Sequence, residues 1–385
     1  MRADAGEAEL VKWSGTMNRT AILKTWAMAA VAAILPLILP IHTTAKEYLI
    51  TGTKPNLLFL VDLQARKVVR QYKIPKDGPP FSISVSPDGK ISYVVTNHWG
   101  AVSGIDLDTG KEVFRAELKE GQELVKSLGG ITLSRDGKEL FVMESVSKIL
   151  PGEYQVQPSR VAVYRTDAGL RAKPTRTFNT PRRIAVLAPS IDGKIIYGLG
   201  WDLYAFDAAT GKLLDTRKFF NWDRPNSSRP DLLNFWPMYE QSEIYAAPYY
   251  YSRTDIPQNN PDSQKTGMLM LDLRSGKMSL VDFENTSASI FSAVVNPKNP
   301  KEVFGVYVTL SRINAGDSPR LEKRVFLDHS YYAIDISADG SECYLGGAMN
   351  DVAVYSTNTM KKLGDIRLPG GGDMALSVLR IVHRP

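Results

Sequence analysis

The residues with the clearest potential for chemistry lie together in 326–340, where a histidine, a serine and two tyrosines precede an alternating apolar run. Ser330 beside His329 has the composition of a nucleophile and its general base, the pair that acyl transfer requires. Neighbouring residues on an extended strand point to opposite sides, so these two side chains cannot form that pair. We predict no catalytic residue here, and we keep His329, Tyr331 and Tyr332 as candidates for contact with a substrate or a partner.

Other sequence signatures of catalysis are missing. The chain contains no nucleophile elbow, no P-loop and no H-E-x-x-H zinc motif. Residues 198–203 read G-L-G-W-D-L, but they lie between two predicted strands and do not open a helix. They are therefore not a dinucleotide-binding fingerprint.

Residue usage argues against metal, haem and nucleic acid as ligands of this chain. His98, His329 and His383 are too few and too scattered for a histidine-rich metal site, so we predict no metal. Cys343 is the single cysteine and no C-x-x-C-H occurs, so we predict neither disulfides nor covalent haem. The 47 Lys and Arg are interspersed with 41 Asp and Glu, which favours a solvated surface over a nucleic-acid groove.

The N-terminal residues 1–45 have the features of an export signal. An uncharged apolar run follows Arg19 and Lys24 and precedes the small residues T-T-A that end at Ala45. The run is short for a membrane span and two prolines interrupt it, which favours cleavage after Ala45 over a retained membrane anchor. The residues before Met17 do not resemble a signal, so we predict translation from Met17 and a periplasmic mature protein.

Turn motifs recur along the rest of the chain. The motif S-x-D-G separates two alternating apolar runs at four places, which begin at Ser86, Ser134, Ser190 and Ser337. Asp-Gly between two such runs predicts a hairpin, because glycine adopts the positive φ that a tight turn demands. Weaker copies occur at 241–243 and 296–300.

A second motif, D-x-x-[TS]-G-K, alternates with the first. It ends apolar runs at 106–111, 207–212 and 272–277, with degenerate copies at 62–67, 164–169 and 355–361. Each repeat therefore predicts four short antiparallel strands. Units of this kind, roughly 40 to 55 residues long, are typical of β-propeller blades.

The repeat predicts an all-β fold, a seven-bladed β-propeller formed by residues 46–385. Six complete blades begin with innermost strands near Phe81, Gly130, Ile184, Phe235, Phe291 and Tyr332. Three strands precede them and one strand, 375–382, follows them. Pairing of the C-terminal strand with the N-terminal three closes the last blade and removes two exposed sheet edges.

The two faces of the predicted ring differ. The D-G and T-G-K turns are short and share one face, whereas the long connections 145–160, 219–231 and 248–267 share the other. Loops on a rigid scaffold commonly carry binding surfaces, and aromatic residues with arginine are favoured in interface centres. We predict a partner surface there, with contacts from Tyr154, Trp222, Tyr249, Tyr250 and Tyr251.

The beginnings of the innermost strands converge on the ring axis at the face with the long loops. Carboxylates and histidines do not recur among them, which argues against a complete enzyme such as a lactonase. An aromatic mouth suits an apolar substrate or an inserted partner segment. The candidate contact residues are Phe81, Phe235, Trp236, Phe291, His329, Tyr331 and Tyr332.

The repeat and three segments resemble a known family. The repeat resembles the YVTN-type propeller repeat of exported proteins. Residues 153–164 (E-Y-Q-V-Q-P-S-R-V-A-V-Y), 195–203 (I-I-Y-G-L-G-W-D-L) and 329–337 (H-S-Y-Y-A-I-D-I-S) resemble the beta subunit of quinohemoprotein amine dehydrogenase. The resemblance extends from about Tyr48 to Ile381.

This resemblance implies a periplasmic heterotrimer that oxidises primary amines to aldehydes and ammonia. In that family a dihaem cytochrome c alpha subunit accepts electrons, and a small gamma subunit carries a cysteine tryptophylquinone. The propeller itself would carry no cofactor. It would hold the small subunit and help to wall the substrate cavity, and the resemblance assigns no catalytic residue to this chain.

Two hypotheses of different classes remain open. The first is the non-cofactor subunit of an amine dehydrogenase. The second is a free-standing exported YVTN-type propeller that binds a ligand or a protein without catalysis. Co-purification with a haem protein distinguishes the first from the second.

Overall fold

The computed structural model describes residues 46–285, 289–374 and 377–384. The predicted leader 1–45 and the predicted start at Met17 lie outside the described residues. The described part belongs to one compact unit, Thr44–Pro385, and consists of β-strands with two single-turn 3₁₀ helices at Gly169–Arg171 and Pro261–Ser263. No helix in 46–285, 289–374 or 377–384 is long and apolar enough to cross a membrane.

The strands form seven antiparallel sheets, which we number as blades in chain order after the first three strands. Blade 1 contains β4 (Ile83–Val85), β5 (Ile91–Thr96), β6 (Ala101–Asp106) and β7 (Glu112–Glu117). Blade 2 contains β8 (Glu123–Lys126), β9 (Ile131–Leu133), β10 (Glu139–Leu150), β11 (Glu153–Val156), β12 (Arg160–Arg165) and β13 (Arg176–Asn179). Blade 3 contains β14 (Val186–Pro189), β15 (Ile195–Leu199), β16 (Leu203–Asp207) and β17 (Leu213–Arg217).

The next three blades follow the same order from the ring axis outward. Blade 4 contains β18 (Asp231–Leu232), β19 (Ile244–Ser252), β20 (Gln264–Asp272) and β21 (Met278–Glu284). Blade 5 contains β22 (Ser292–Asn296), β23 (Asn299–Val306), β24 (Thr309–Asn314) and β25 (Arg320–Phe326). Blade 6 contains β26 (Tyr331–Ile336), β27 (Glu342–Gly347), β28 (Asp351–Ser356) and β29 (Lys362–Arg367).

Blade 7 joins the two ends of the described chain. Its strands are β1 (Lys46–Thr53), β2 (Leu57–Asp62), β3 (Lys67–Lys73) and β30 (Arg380–Arg384), in the order β3-β2-β1-β30. Strand β30 pairs with β1 in a register that sets Lys46 opposite Arg384 and Ile50 opposite Arg380. The predicted seven-bladed propeller and its closure by three N-terminal strands and one C-terminal strand are confirmed.

The D-G turns have one local geometry in all four places. The serine hydroxyl donates to the aspartate Oδ1 at 2.6 Å in each, and the glycine φ lies between 69° and 74°. In three of the turns this hydrogen bond is the main reason that the aspartate pKa lies below its usual value. The repeated motif is therefore a turn motif, and we call the side of the ring that carries it the turn face.

The core lies between the blades. Innermost strands of neighbouring blades contact one another around the ring, and alternating apolar residues of the flanking strands are buried between the sheets. Cys343 on β27 is fully buried in this core, and burial raises the pKa of its thiol well above the usual value. It functions as a small apolar side chain.

The ring axis is filled by part of blade 4. The sequence predicts an innermost strand beginning at Phe235, but the regular strand β18 ends at Leu232. Residues 233–243, which we call the axial segment, then leave the sheet, and within them Met238 and Tyr239 are buried. The Tyr239 hydroxyl lies 3.1 Å from the Thr132 hydroxyl of β9.

The axial segment also contacts the closing strand. The buried guanidinium of Arg380 on β30 donates to the carbonyl oxygens of Ile83 and Pro237 and pairs with Glu240 at 2.5 Å. The neighbouring Asp335 carboxylate of β26 accepts hydrogen bonds from the backbone amides of Ile336 and Ile381. These contacts connect the inner strands of blades 1, 4, 6 and 7.

The face opposite the turns, which we call the loop face, carries the links between blades and the second connection of each blade. The sequence predicts long loops there, and two of them are more regular than predicted. Residues 145–160 extend blade 2 as the paired strands β10 and β11, with β8 on the other side of β10. Residues 248–252 and 264–267 belong to β19 and β20, so the connection between these strands covers only 253–263.

Candidate functional site

Exposed apolar side chains mark the loop face. The strands keep their apolar residues between the sheets, so large exposed ones require another explanation. Those on the loop face are Trp99, Leu128, Ile149, Tyr154, Val156, Trp201, Phe235, Val308, Phe326 and Met349. The other exposed ones are Ile191 in a D-G turn, Leu170 in the first 3₁₀ helix, and Val69, Val113, Leu213, Leu214 and Leu363 on outermost strands. The loop face therefore has the composition of an interface.

An aromatic row lies on the loop face across the beginnings of blades 4 to 6. Its members, linked ring to ring, are Phe235, Trp236, Phe291, Tyr307 and Tyr332. The Phe291 ring stacks on Tyr307 with centroids 3.9 Å apart and on Trp236 with centroids 6.0 Å apart. Within the row, Trp236 is buried, whereas Phe235 is 38% exposed. The structure thus brings four of the predicted mouth residues together and adds Tyr307.

A cavity of about 410 Å³ opens on the loop face beside the axial segment. Blades 2, 3 and 4 all line it, and Phe235 belongs to both the cavity and the aromatic row. Its apolar wall includes Leu128, Ile184, Trp201, Phe220 and Phe235. This volume is within the range of small-molecule sites, and an apolar wall with few polar groups is their usual composition.

Arg183 occupies an unusual position in the cavity wall. Its φ is +67°, in the left-handed region that non-glycine residues rarely adopt. The neighbouring Gly200 makes this possible, because a Cβ there would lie only 2.9 Å from the carbonyl carbon and oxygen of Arg183. The Arg183 guanidinium carbon lies 4.9 Å from the centre of the Trp201 ring, a cation–π contact that fixes the side chain.

A second cation–π pair continues this wall. The ring of Phe220 stacks on Trp201 with centroids 5.6 Å apart, and the Arg229 guanidinium lies 5.4 Å from the Phe220 centroid. Asp231, at the start of β18, also lines the cavity. Among the described residues, neither Arg183 nor Asp231 has an ion-pair partner or a side-chain hydrogen bond.

The candidates His329 and Tyr331 belong to a hydrogen-bond network at the loop-face end of blade 6. His329 Nε2 lies 3.1 Å from Oδ1 of Asp351, and the Tyr331 hydroxyl donates to Asp328 at 3.0 Å. Lys362 pairs with the second oxygen of Asp328 at 2.6 Å.

This network shifts two pKa values in opposite directions. Burial, with the nearby Asp351 charge, raises the pKa of the Tyr331 phenol far above its usual value. Hydrogen bonds from Lys362 and Tyr331 outweigh the desolvation of Asp328 and lower its carboxyl pKa to about 2. Tyr331 is fully buried, so it supports the loop face from below rather than contacting a ligand.

Phe81 is likewise buried, at the start of blade 1. Its ring makes an edge contact with Trp99, with centroids 5.7 Å apart. Trp99 itself is partly exposed and follows Asn97 and His98 in a connection where all three residues have positive φ. The exposed aromatic group on this part of the loop face is therefore Trp99 and not the predicted Phe81.

The predicted location of Tyr249 to Tyr251 in a loop is wrong. All three lie on strand β19, Tyr249 is fully buried and Tyr251 is nearly so. The hydroxyls of Tyr249 and Tyr251 donate to Asp282 at 2.6 and 2.8 Å, and Arg224 pairs with the same carboxylate. The three tyrosines read as a loop because Pro248 precedes them, but their alternating side chains pack between blades.

The other loop candidates divide between the interior and the surface. Trp222 packs its ring against Tyr249 and Tyr251, and its indole N–H donates to the Ser228 carbonyl oxygen at 2.9 Å. The Tyr250 hydroxyl donates to the carbonyl oxygen of Ile290 at 2.8 Å. Tyr154 on β11 is 67% exposed and is the one of these five that projects freely from the loop face.

Apart from Phe235, sequence reasoning did not identify the cavity residues as candidates. Trp201 lies in the G-L-G-W-D-L segment, which carries part of the family resemblance but was not predicted to line a cavity. Phe220 and Asp231 lie in a predicted loop, but nothing in their spacing places them beside Arg183. In the part of the chain that the structure describes, no group of three or more His, Cys, Asp or Glu side chains could hold a metal ion.

Comparison with known proteins identifies the fold. No protein-family model and no curated protein sequence matches this chain. Hydrazine synthase of Kuenenia stuttgartiensis is similar with a TM-score of 0.54 and 18% identity, over 80% of this chain and 90% of that chain. A functionally unknown protein from Desulfotomaculum acetoxidans is similar with a TM-score of 0.57 and 13% identity, over 89% of this chain and 100% of that chain.

A third similar structure is the dihydro-heme d1 dehydrogenase NirN in complex with DHE. Its TM-score is 0.52 and its identity 11%, over 87% of this chain and 75% of that chain. At such identities these likenesses support the propeller fold and do not assign an activity.

Proposed function

We propose that this chain is the propeller subunit of a periplasmic amine dehydrogenase complex, and that its loop face binds the subunits that carry the cofactors. The observation that carries the proposal is the set of exposed apolar side chains on that face. Trp201 is 42% exposed, Tyr154 67% and Phe326 87%, values that leave large apolar areas in contact with water. Burial of such area against a partner is the main favourable term in association.

The chemistry of this chain bears on which subunits carry the cofactors. Its one cysteine is buried in β27 and no C-x-x-C-H occurs, so its own residues do not fit a crosslinked quinone or a covalent haem. The resemblance assigns the quinone to the small gamma subunit and haem c to the dihaem alpha subunit, and the chemistry of this chain agrees with that assignment. This chain holds the small subunit and supplies an aromatic wall.

The aromatic row is the proposed wall of the substrate cavity. Phe235, Phe291 and Tyr332 present a continuous surface above the buried Trp236. Aromatic faces attract the ammonium group of an amine and also pack against its apolar body. Segment 329–337 is one of those that carry the family resemblance, and it contains Tyr332, a member of the row. The resemblance therefore supports this placement. The presence of a dehydrogenase among proteins of similar fold is compatible with it.

Co-purification tests the proposal. The mature chain, tagged at its C-terminus and expressed in its host, is captured and the eluate is stained for haem and for quinone. We expect a haem-staining polypeptide and a small quinone-staining polypeptide in fixed proportion to this chain. A lone propeller in the eluate would instead favour the free-standing binding protein.

A further inference from the structure

We propose that the cavity between blades 2, 3 and 4 binds a small organic zwitterion, a molecule with an ammonium and a carboxylate on an apolar body. This site does not require the assembly proposed above, although it lies on the same face and Phe235 belongs both to the cavity and to the aromatic row. One cation, Arg183, and one anion, Asp231, line the cavity; both are exposed, and the other lining residues are mainly apolar.

The first argument is that both charges are available. Most arginines of this protein are paired with carboxylates; Arg160, for example, contacts both Glu123 and Glu144. Arg183 and Asp231 line the same cavity, yet within the described residues they make no ion pair with each other or with any third group. A ligand with one charge satisfies one of them, whereas a zwitterion satisfies both.

The second argument concerns the backbone of Arg183, whose positive φ costs free energy. A non-glycine residue with positive φ is strained by about 1 to 3 kcal/mol, and such strain persists only where the surroundings enforce it. Here the missing side chain of Gly200 leaves room for this backbone, and the ring of Trp201 contacts the guanidinium. A guanidinium fixed in this way is pre-organised for a carboxylate, which it binds with two parallel hydrogen bonds.

The third argument concerns the walls. Trp201, Phe220 and Phe235 line the cavity with aromatic rings that suit an apolar body, while the Arg183 and Arg229 guanidinium groups already contact the rings of Trp201 and Phe220. Asn234 is tied to the Leu199 carbonyl oxygen at 3.0 Å, so the start of the axial segment is fixed to blade 3. The wall is therefore formed in the free protein and needs no rearrangement to accept a ligand.

The test uses probes that differ only in charge, added to the mature full-length chain. Phenylalanine and 6-aminohexanoate are the zwitterions, with the charges at short and long separation. Phenylacetate and hexanoate keep the carboxylate alone, and phenethylamine and hexylamine keep the ammonium alone. Calorimetry gives affinities, and quenching of tryptophan fluorescence reports contact with Trp201.

We expect at least one zwitterion to bind about tenfold or more tightly than both of its single-charge analogues, the usual effect of a charge-assisted hydrogen bond. Arg183→Gln should reduce the affinity of that zwitterion to that of its amine analogue. Asp231→Asn should reduce it to that of its carboxylate analogue. Arg182→Gln and Asp223→Asn, exposed neighbours that do not line the cavity, should leave it unchanged.

Three results would overturn the inference. One is that neither zwitterion binds more tightly than its analogues. Another is that the Arg182 and Arg183 variants behave alike. The third is selective binding of phenethylamine, insensitive to Arg183→Gln, which would make the cavity an amine site and leave the proposed amine dehydrogenase function standing. Conversely, zwitterion binding by a chain that captures no haem protein would support this site and contradict the proposed assembly.

Discussion

Thr132 and Tyr239 meet hydroxyl to hydroxyl at 3.1 Å, although they belong to blades 2 and 4 and lie 107 residues apart. The axial segment belongs to blade 4. This contact places it against β9, an inner strand of blade 2, beyond the intervening blade 3. The ring therefore has a filled centre at this level, with Met238 and Tyr239 buried in it. Its binding features, the aromatic row and the cavity, accordingly lie on the loop face.

Loss of the buried guanidinium at the axis should destabilise the whole ring. Arg380→Met leaves Glu240 without its cation and removes donors from two backbone carbonyl groups. Glu240 is 38% exposed and water can solvate it, so the main cost is that of buried carbonyl oxygens left without a donor, about 1 to 3 kcal/mol. We expect a loss of this size in the free energy of unfolding, measured by urea denaturation.

The control for Arg380 is an ion pair at the surface. Lys54 pairs with Asp373 at 2.9 Å with the lysine side chain 52% exposed, and such pairs are worth about 0 to 1 kcal/mol. Lys54→Met should therefore change stability little. Equal effects of the two substitutions would show that the axis does not hold the ring together.

Asp335 should make stability depend on pH. Burial, and then the nearby Glu240 charge, raise the pKa of its carboxyl to about 8, whereas the unfolded value is about 3.9. Between these values the folded protein binds one more proton than the unfolded chain, so stability falls as the pH rises through this window. The slope for one proton is at most about 1.4 kcal/mol per pH unit.

Asp335→Asn removes this titration. We expect unfolding free energies, measured in urea at several pH values between about 5 and 8, to fall less steeply with pH in the variant than in the wild type. All other ionisable groups are common to both proteins, so the difference between the two curves isolates Asp335. Parallel curves would mean that the Asp335 carboxyl is already ionised throughout this range.

Residues of the aromatic row should affect assembly more than folding. Phe235→Ala and Tyr332→Ala remove ring surface on the loop face, so both should weaken binding of the cofactor-bearing subunits or raise KM for the amine. Ile191→Ala, an exposed apolar residue on the turn face, is the matched control. Unchanged assembly and unchanged KM in both row variants would exclude the row as a contact surface.

Tyr249 should have the opposite profile. Tyr249→Phe removes a hydroxyl that donates to Asp282 inside the protein, and a hydrogen bond to a charged group is worth about 1.5 to 3 kcal/mol. We expect lower thermal stability with unchanged subunit capture. If Tyr249→Phe instead reduced capture of the partner subunits without lowering thermal stability, Tyr249 would belong to the partner surface, as the sequence predicts.

The fold could be predicted because its signals are local. The serine–aspartate hydrogen bond and the positive φ of the following glycine are confined to a few consecutive residues, so the motif beginning at Ser86 identifies a turn in any context. Counting strands between such turns then gave seven blades and their closure. The strand from Tyr249 to Tyr251 escaped detection because its register is set by pairing with β20, not by a local signal.

The candidate site was predictable only in part. The aromatic row lies at the beginnings of inner strands, and these converge by the symmetry of the fold. The path of the axial segment depends on contacts with Thr132 and Arg380, which are distant in sequence. The cavity includes Arg183, whose left-handed backbone lies against Gly200, and nothing in the residue type of Arg183 predicts that conformation.

The central claim is that this propeller is one subunit of an amine-oxidising complex. The most direct measurement is native mass spectrometry of the protein captured from its host, combined with amine-dependent reduction of a dye. The account predicts a single species containing this chain, a haem protein and a small quinone-bearing polypeptide, with dye reduction on addition of a primary amine. A monomer of this chain without haem, quinone or dye reduction would contradict it.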